Sequence, residues 1–155
     1  MVIARPVAEV MSAPVLSVRA DSPLQEAVRL LSDHHISGLP VVDAQGVLVG
    51  ELSEKDLMVR ESGFQSGPYV MLLDAVIYLR NPLNWDKEVH QVLGNTVADV
   101  MNNRTHSCPA ELPLPAAARQ LHEGGTQRLF VLDGERRPVG VLTRGDVVRA
   151  LAAAD

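Results

Sequence analysis

The sequence predicts an α/β (α+β) fold of two pseudo-symmetric β-α-β-β-α repeats packed through their sheets, with a helical insert between them. Three observations carry that prediction. Sliding the chain against itself by ninety residues aligns Val7–Val59 with Val97–Arg149 without a gap, and eighteen of those fifty-three positions are identical, which is hard to obtain by chance. Apolar residues recur in both copies first at helical spacing and then in short runs that suit buried strands. Both copies close on a glycine followed by a hydroxyl-x-x-Asp turn, Gly50-Glu51-Leu52-Ser53-Glu54-Lys55-Asp56 and Gly140-Val141-Leu142-Thr143-Arg144-Gly145-Asp146. The chain so divides into a first repeat at 1–61, an insert at 62–95 and a second repeat at 96–155.

Each repeat reads in the same order. Val15-Leu16-Ser17-Val18, matched by Thr105-His106-Ser107-Cys108, is a short strand. Pro23 and Pro113 then open a helix, where a missing N–H costs nothing. Leu24, Ala27, Val28 and Leu31, like Leu114, Ala117, Ala118 and Leu121, share one helical face, and His34-His35 and Gly124-Gly125 close these helices. Leu39-Pro40-Val41-Val42 and Leu129-Phe130-Val131-Leu132 are the next strands. Turns at Asp43-Ala44-Gln45-Gly46 and Asp133-Gly134-Glu135-Arg136 return the chain through Val47–Leu52 and Pro138–Leu142 as hairpin arms. A final helix follows each hydroxyl turn. One repeat alone has too small an interior to be secure, so the copies are expected to pair.

Composition narrows the function. Apolar residues make up 46% of the chain and aromatics 3%, so the core must be aliphatic and no stacking platform for single-stranded nucleic acid is available. A formal charge of -5 argues against a duplex-DNA binder. One cysteine, Cys108, forms no intrachain disulfide and fits a reducing compartment; no export signal or bilayer-length apolar run is visible, so a cytoplasmic protein without membrane insertion is expected. Cys108 aligns with Val18, a strand position, and reads as a small buried apolar residue. His34, His35, His90, His106 and His122 lack metal-ligand spacing, so no metal site is expected. No phosphate loop, nucleophile elbow or carboxylate dyad appears, and the repeats leave no room for a catalytic domain, so no catalytic residue is assigned.

The hydroxyl turns admit two compatible readings. Ser53 and Thr143 serve as helix N-caps, with Asp56 and Asp146 facing the positive end of the helix dipole. The same helix start also suits a ligand: the hydroxyl and backbone N–H groups match phosphate, and a carboxylate one turn in matches the hydroxyl pair of a ribose.

With both repeats and both turns in hand, the sequence resembles a tandem pair of cystathionine-beta-synthase (CBS) domains, a Bateman module. Glu9-Val10-Met11, Asp99-Val100-Met101 and Ile36-Ser37-Gly38-Leu39-Pro40-Val41-Val42-Asp43 add to the likeness. The resemblance implies a regulatory, non-catalytic module that takes an adenosine-containing ligand (AMP, ADP, ATP or S-adenosylmethionine) in two clefts and signals to a partner protein. It implies a first cleft formed by Ser22, Ala27, Ile36, Ser37 and Gly38 with Thr143 and Asp146. The second would use Ala117, Thr126, Gln127 and Arg128 with Ser53 and Asp56. Leu112 stands where the first repeat has Ser22, and Arg128 where it has Gly38, so the second cleft loses a polar contact, gains a guanidinium for phosphate, and is expected to differ in affinity.

The insert belongs to neither copy. Val70, Leu73, Val76 and Ile77 share a helical face within Tyr69–Leu79, and Trp85–Gly94 reads as a second short helix. These helices either cover one side of the module or, with so wide an apolar face, join a dimer interface or dock a partner. Related CBS proteins form disc-like dimers, so a homodimer is expected. The alternative to ligand sensing is a ligand-free dimeric scaffold that docks an effector protein through the insert.

Overall fold

The computed structural model describes residues 5–57, 69–72, 75–78 and 96–153. Its first sheet contains β1 (Val18–Arg19), β2 (Gly38–Val42) and β3 (Leu48–Ser53) in that order, with β1 parallel to β2 and Val18 opposite Val41. Helix α1 (Leu24–Asp33) crosses between β1 and β2. The second repeat gives the same arrangement: β6 (Ser107–Pro109), β7 (Arg128–Leu132) and β8 (Pro138–Thr143) form its sheet, α3 (Leu114–Gly124) crosses between β6 and β7, and α4 (Arg144–Ala152) follows β8. β6 runs parallel to β7 and β7 antiparallel to β8.

The helices form where the pattern placed them. Leu24, Ala27, Val28 and Leu31 are the buried stripe of α1, and Leu114, Ala117 and Leu121 that of α3. Pro23 and Pro113 stand at the N-caps with extended backbone, so their fixed φ and absent N–H fit without loss. Gly125 ends α3 in the left-handed region at φ 60°, where a side chain would be strained.

The chain divides into two compact units, and each draws on both repeats. One comprises Ser17–Gln45 and Val49–Arg104, the other Met1–Leu16, Gly46–Leu48 and Thr105–Asp155. In the unit built on the first repeat, Val97 is fully buried among Val18, Leu24, Leu31, Leu39, Val41 and Leu52. It begins a short helix, α2 (Val97–Val100). Val97 N–H donates to Ser22 C=O at 2.9 Å, and Glu51 and Asn102 exchange backbone bonds of 3.0 and 2.8 Å. In the unit built on the second repeat, Val7 takes the matching place, fully buried with Leu114, Leu121, Leu129, Val131 and Leu142. Val7 N–H donates to Leu112 C=O at 2.8 Å, and Ser12 and Val141 exchange bonds of 2.9 Å. Each repeat therefore lends the segment before its first strand to the core of the other repeat's unit.

That exchange explains the paired glycines in β3 and β8. A Cβ at Gly50 would lie 2.6 Å from Met101 Sδ and 3.1 Å from the backbone oxygen of Asn102; at Gly140 it would strike Met11 Sδ. Gly50→Ala is expected to lower stability by about 1–3 kcal/mol through overpacking, read as a drop in urea midpoint; an unchanged midpoint would show that the methionine side chain simply swings aside.

The insert corrects one expectation. Instead of a helix over Tyr69–Leu79, strands β4 (Tyr69–Leu72) and β5 (Ala75–Tyr78) pair antiparallel, with Tyr69 opposite Tyr78 and Val70 opposite Ile77. Tyr69, Val70, Val76, Ile77 and Tyr78 are β-branched or aromatic types that lose rotamer freedom in a helix and fit a pleat. The helix expected at Trp85–Gly94 lies outside the described residues.

Candidate functional site

The two hydroxyl turns are built the same way and finished differently. At the second, Asp146 N–H donates to Thr143 Oγ1 at 3.1 Å and Thr143 N–H donates back to Asp146 Oδ2 at 2.9 Å, a reciprocal capping box. Asp146 is only 4% exposed. Its other oxygen, Oδ1, accepts from Ser12 Oγ at 3.3 Å and pairs with the Arg149 guanidinium one turn along α4. A carboxylate buried this far needs such partners, because an unpaired buried charge is costly.

At the first turn, Ser53 N–H and Ser53 Oγ both donate to Asp56 Oδ2, at 2.9 and 3.1 Å, and Asp56 N–H donates to Ser53 Oγ at 3.4 Å. Asp56 is half-buried, and its Oδ1 has no hydrogen-bond partner among the described residues. Val59 occupies the sequence position equivalent to Arg149, and Asn102 that of Ser12. The Asn102 amide oxygen accepts from Arg104 N–H at 2.9 Å instead. A third box of the same chemistry, Thr96 with Asp99, caps α2. Capping is thus the local role of every hydroxyl-x-x-Asp turn in the described chain, and any ligand role is additional to it.

Each turn abuts the start of the second strand of its own repeat. Glu54 N–H donates to Ser37 C=O at 3.1 Å, and Arg144 N–H to Gln127 C=O at 3.2 Å. Arg144 Nε also donates to Thr126 C=O at 2.9 Å, and Arg128 stands opposite Thr143 in the β7–β8 ladder. Thr126, Gln127, Arg128, Thr143 and Asp146 consequently come together in one unit, and Ser37, Ser53 and Asp56 in the other. Each expected ligand set draws on both units.

The remaining candidates sort by burial. Gly38 is half-buried at the start of β2, and Ile36 packs its half-buried side chain on the core of its unit. The Ser22 side chain is half-buried while its carbonyl is taken by Val97. Thr126 is buried, and its hydroxyl donates to Arg128 C=O at 3.1 Å. Ala27 and Ala117 are fully buried core members, so their part is packing and neither offers surface to a ligand.

Sequence reasoning missed Ser12 and Arg149. Arg149 was visible as an i,i+3 neighbour of Asp146, but Ser12 reaches Asp146 only because the N-terminal segment packs on the second repeat's unit. Cys108 is buried in the same unit, and burial pushes its thiol up to about 11, which keeps it protonated and unreactive at neutral pH. Among the described residues no His, Cys, Asp and Glu side chains gather into a metal site, and no helix is long and apolar enough to cross a membrane.

Two like α/β units, each with a three-stranded sheet, a crossover helix and a hydroxyl-capped turn after the last strand, define a tandem-repeat module. The chain belongs to the CBS domain family, whose model matches residues 7–63 and 97–153, and it carries two CBS domains in tandem. It is 27% identical over 150 residues to an uncharacterized protein of Methanocaldococcus jannaschii, MJ1426, covering 92% of this chain and 89% of that one. It is 31% identical over 135 residues to the chloroplastic CBS domain-containing protein CBSX2 of Arabidopsis thaliana, covering 86% of this chain and 57% of that protein's length. The crystal structure of CBSX2 in complex with AMP matches with a TM-score of 0.71 and 27% identity over 96% of each chain. The CBS domain of a membrane protein from Sphaerobacter thermophilus has the same fold, with a TM-score of 0.74 at 24% identity over 96% of this chain and 89% of that one.

Proposed function

We propose that the chain is a non-catalytic regulatory module that binds an adenosine-containing ligand, AMP, ADP, ATP or S-adenosylmethionine, and passes the binding event to a partner protein. The observation that carries this reading is the doubled hydroxyl-capped helix start. Its N–H groups and dipole favour a phosphate or other anion, while Asp56 and Asp146 supply acceptors for a ribose hydroxyl pair. The likeness to CBSX2, a structure of which holds AMP, supports adenosine over other ribose ligands. In this proposal Ser53 and Thr143 join the carboxylates at the ribose and phosphate, and Arg128 adds charge for phosphate. Ser22, Ile36, Ser37, Gly38, Thr126 and Gln127 face the base.

Signalling follows if the ligand binds one conformation better than another, since only differential affinity shifts a population. A homodimer belongs to the same proposal. Val148 and Leu151 on α4 are 63% and 51% exposed, an apolar pair that a second copy would cover. Calorimetry of the full chain with AMP, ATP and S-adenosylmethionine, run beside light scattering, tests both parts. Heat with at least one ligand and a mass twice 16.8 kDa are the expected results. No heat with any of the three overturns the sensing account, and a monomer mass overturns the dimer.

A further inference from the structure

We propose that the two hydroxyl turns are unequal by construction: the Asp146 carboxylate is held shut by Arg149 and Ser12, so that a ribose engages Asp56 first and reaches Asp146 only when that latch is released. The inference rests on the adenosine-binding reading above and names what regulates it.

The two carboxylates differ in the acceptors they have left. A ribose diol presents two O–H donors, and a carboxylate that receives both must offer lone pairs that nothing else uses. Asp146 spends Oδ2 on Thr143 N–H and Oδ1 on Ser12 Oγ and the Arg149 guanidinium, and it is almost wholly buried. Asp56 directs all its internal bonds to Oδ2 and is half-buried, with Oδ1 unpartnered among the described residues. Arg149 holds a charge-assisted bond in which its partner is buried while its own side chain is 71% exposed, so the arm itself has room to swing into water once a ligand supplies Asp146 with other partners. Ser12 lies in the exchanged N-terminal segment. Movement of that segment therefore alters access to Asp146, giving the second turn a gate that has no counterpart at the first among the described residues.

Substitution of Arg149 by valine, the residue at the matching position of the first repeat, removes the cationic half of the latch. AMP titrated calorimetrically into the intact wild-type chain is expected to bind one equivalent per chain, and Asp56→Asn is expected to abolish that event while keeping a capping acceptor. Arg149→Val should raise the stoichiometry from one to two, and Arg149→Val with Asp56→Asn should retain one. Arg149→Lys should behave as wild type. Circular dichroism of each variant confirms folding; Arg149→Val should melt somewhat below the wild type, because it takes the cation from the buried Asp146 carboxylate, and Arg149→Lys should melt with the wild type. Wild-type binding that survives Asp56→Asn, two equivalents in the wild type, or weaker binding in Arg149→Val would overturn the latch while leaving adenosine binding intact. Absence of AMP binding in the wild type and in Arg149→Val alike overturns the latch, and binding of ATP or S-adenosylmethionine in the same titration then shows whether the adenosine reading itself survives.

Discussion

Replacing Val7 by aspartate unfolds the unit built on the second repeat, although Val7 belongs to the first. Val7 has no exposed surface and sits among Leu114, Leu121, Leu129, Val131 and Leu142. The surrounding polar groups are already committed: Val7 N–H to Leu112 C=O, Ala8 N–H to Ala110 C=O, and Leu114 N–H to Arg5 C=O. A carboxylate placed there finds no donor and loses its water, a cost of about 3 kcal/mol or more. Against a total stability of roughly 5–15 kcal/mol for an ordinary domain, that is decisive or nearly so. Hydrogen exchange is the direct readout: β7 and β8 should lose protection. Ala8→Asp is the control, because Ala8 is exposed on the same short turn and should leave exchange unaltered. Equal protection in Val7→Asp and wild type would mean that the exchanged segment is an ornament on the second unit and not part of its core.

The elements legible in the sequence are those whose signal is local. Leu24, Ala27, Val28 and Leu31 repeat with helical period over enough turns to be unambiguous, and the Asp-led turns fix both hairpins. The exchange of pre-strand segments was not legible. Val7-Ala8-Glu9-Val10-Met11 is too short to show a period, and its partners lie at the far end of the chain. Its one trace was the joint recurrence of Val-Met and of the glycines that accept the methionine sulfurs, Met11 at Gly140 and Met101 at Gly50. Tyr69–Leu79 failed for a different reason: a short apolar run fits both periods, and β-branched content decided for the hairpin. At the candidate site the capping residues were readable because a capping box is contained within four residues. Ala27 and Ala117 carried no mark to separate a core alanine from a ligand-facing one, and burial alone distinguishes them.

Asp146→Ala is expected to cost stability as well as any ligand, and more of it than Asp56→Ala. Removing the Asp146 carboxylate strands Thr143 N–H and the Ser12 hydroxyl and releases Arg149 from a buried partner, at a site only 4% exposed. Loss of a capping side chain costs about 1 kcal/mol, and the further loss of the Ser12 bond and of the Arg149 pair adds about 1 kcal/mol more. Asp56→Ala gives up bonds to Ser53 alone, at a half-buried position that water can reach, so about 1 kcal/mol is the whole effect. Urea midpoints should therefore rank wild type above Asp56→Ala above Asp146→Ala, with Asp146→Asn recovering part of the gap by keeping an acceptor for Thr143 N–H. Equal midpoints for the two alanine variants would show that Ser12 and Arg149 contribute nothing to the fold. The ranking also governs how binding data are read: a lost ligand in Asp146→Ala reports on a weakened helix start, whereas the same loss in Asp56→Asn reports on the missing ribose acceptor, because there the cap is kept.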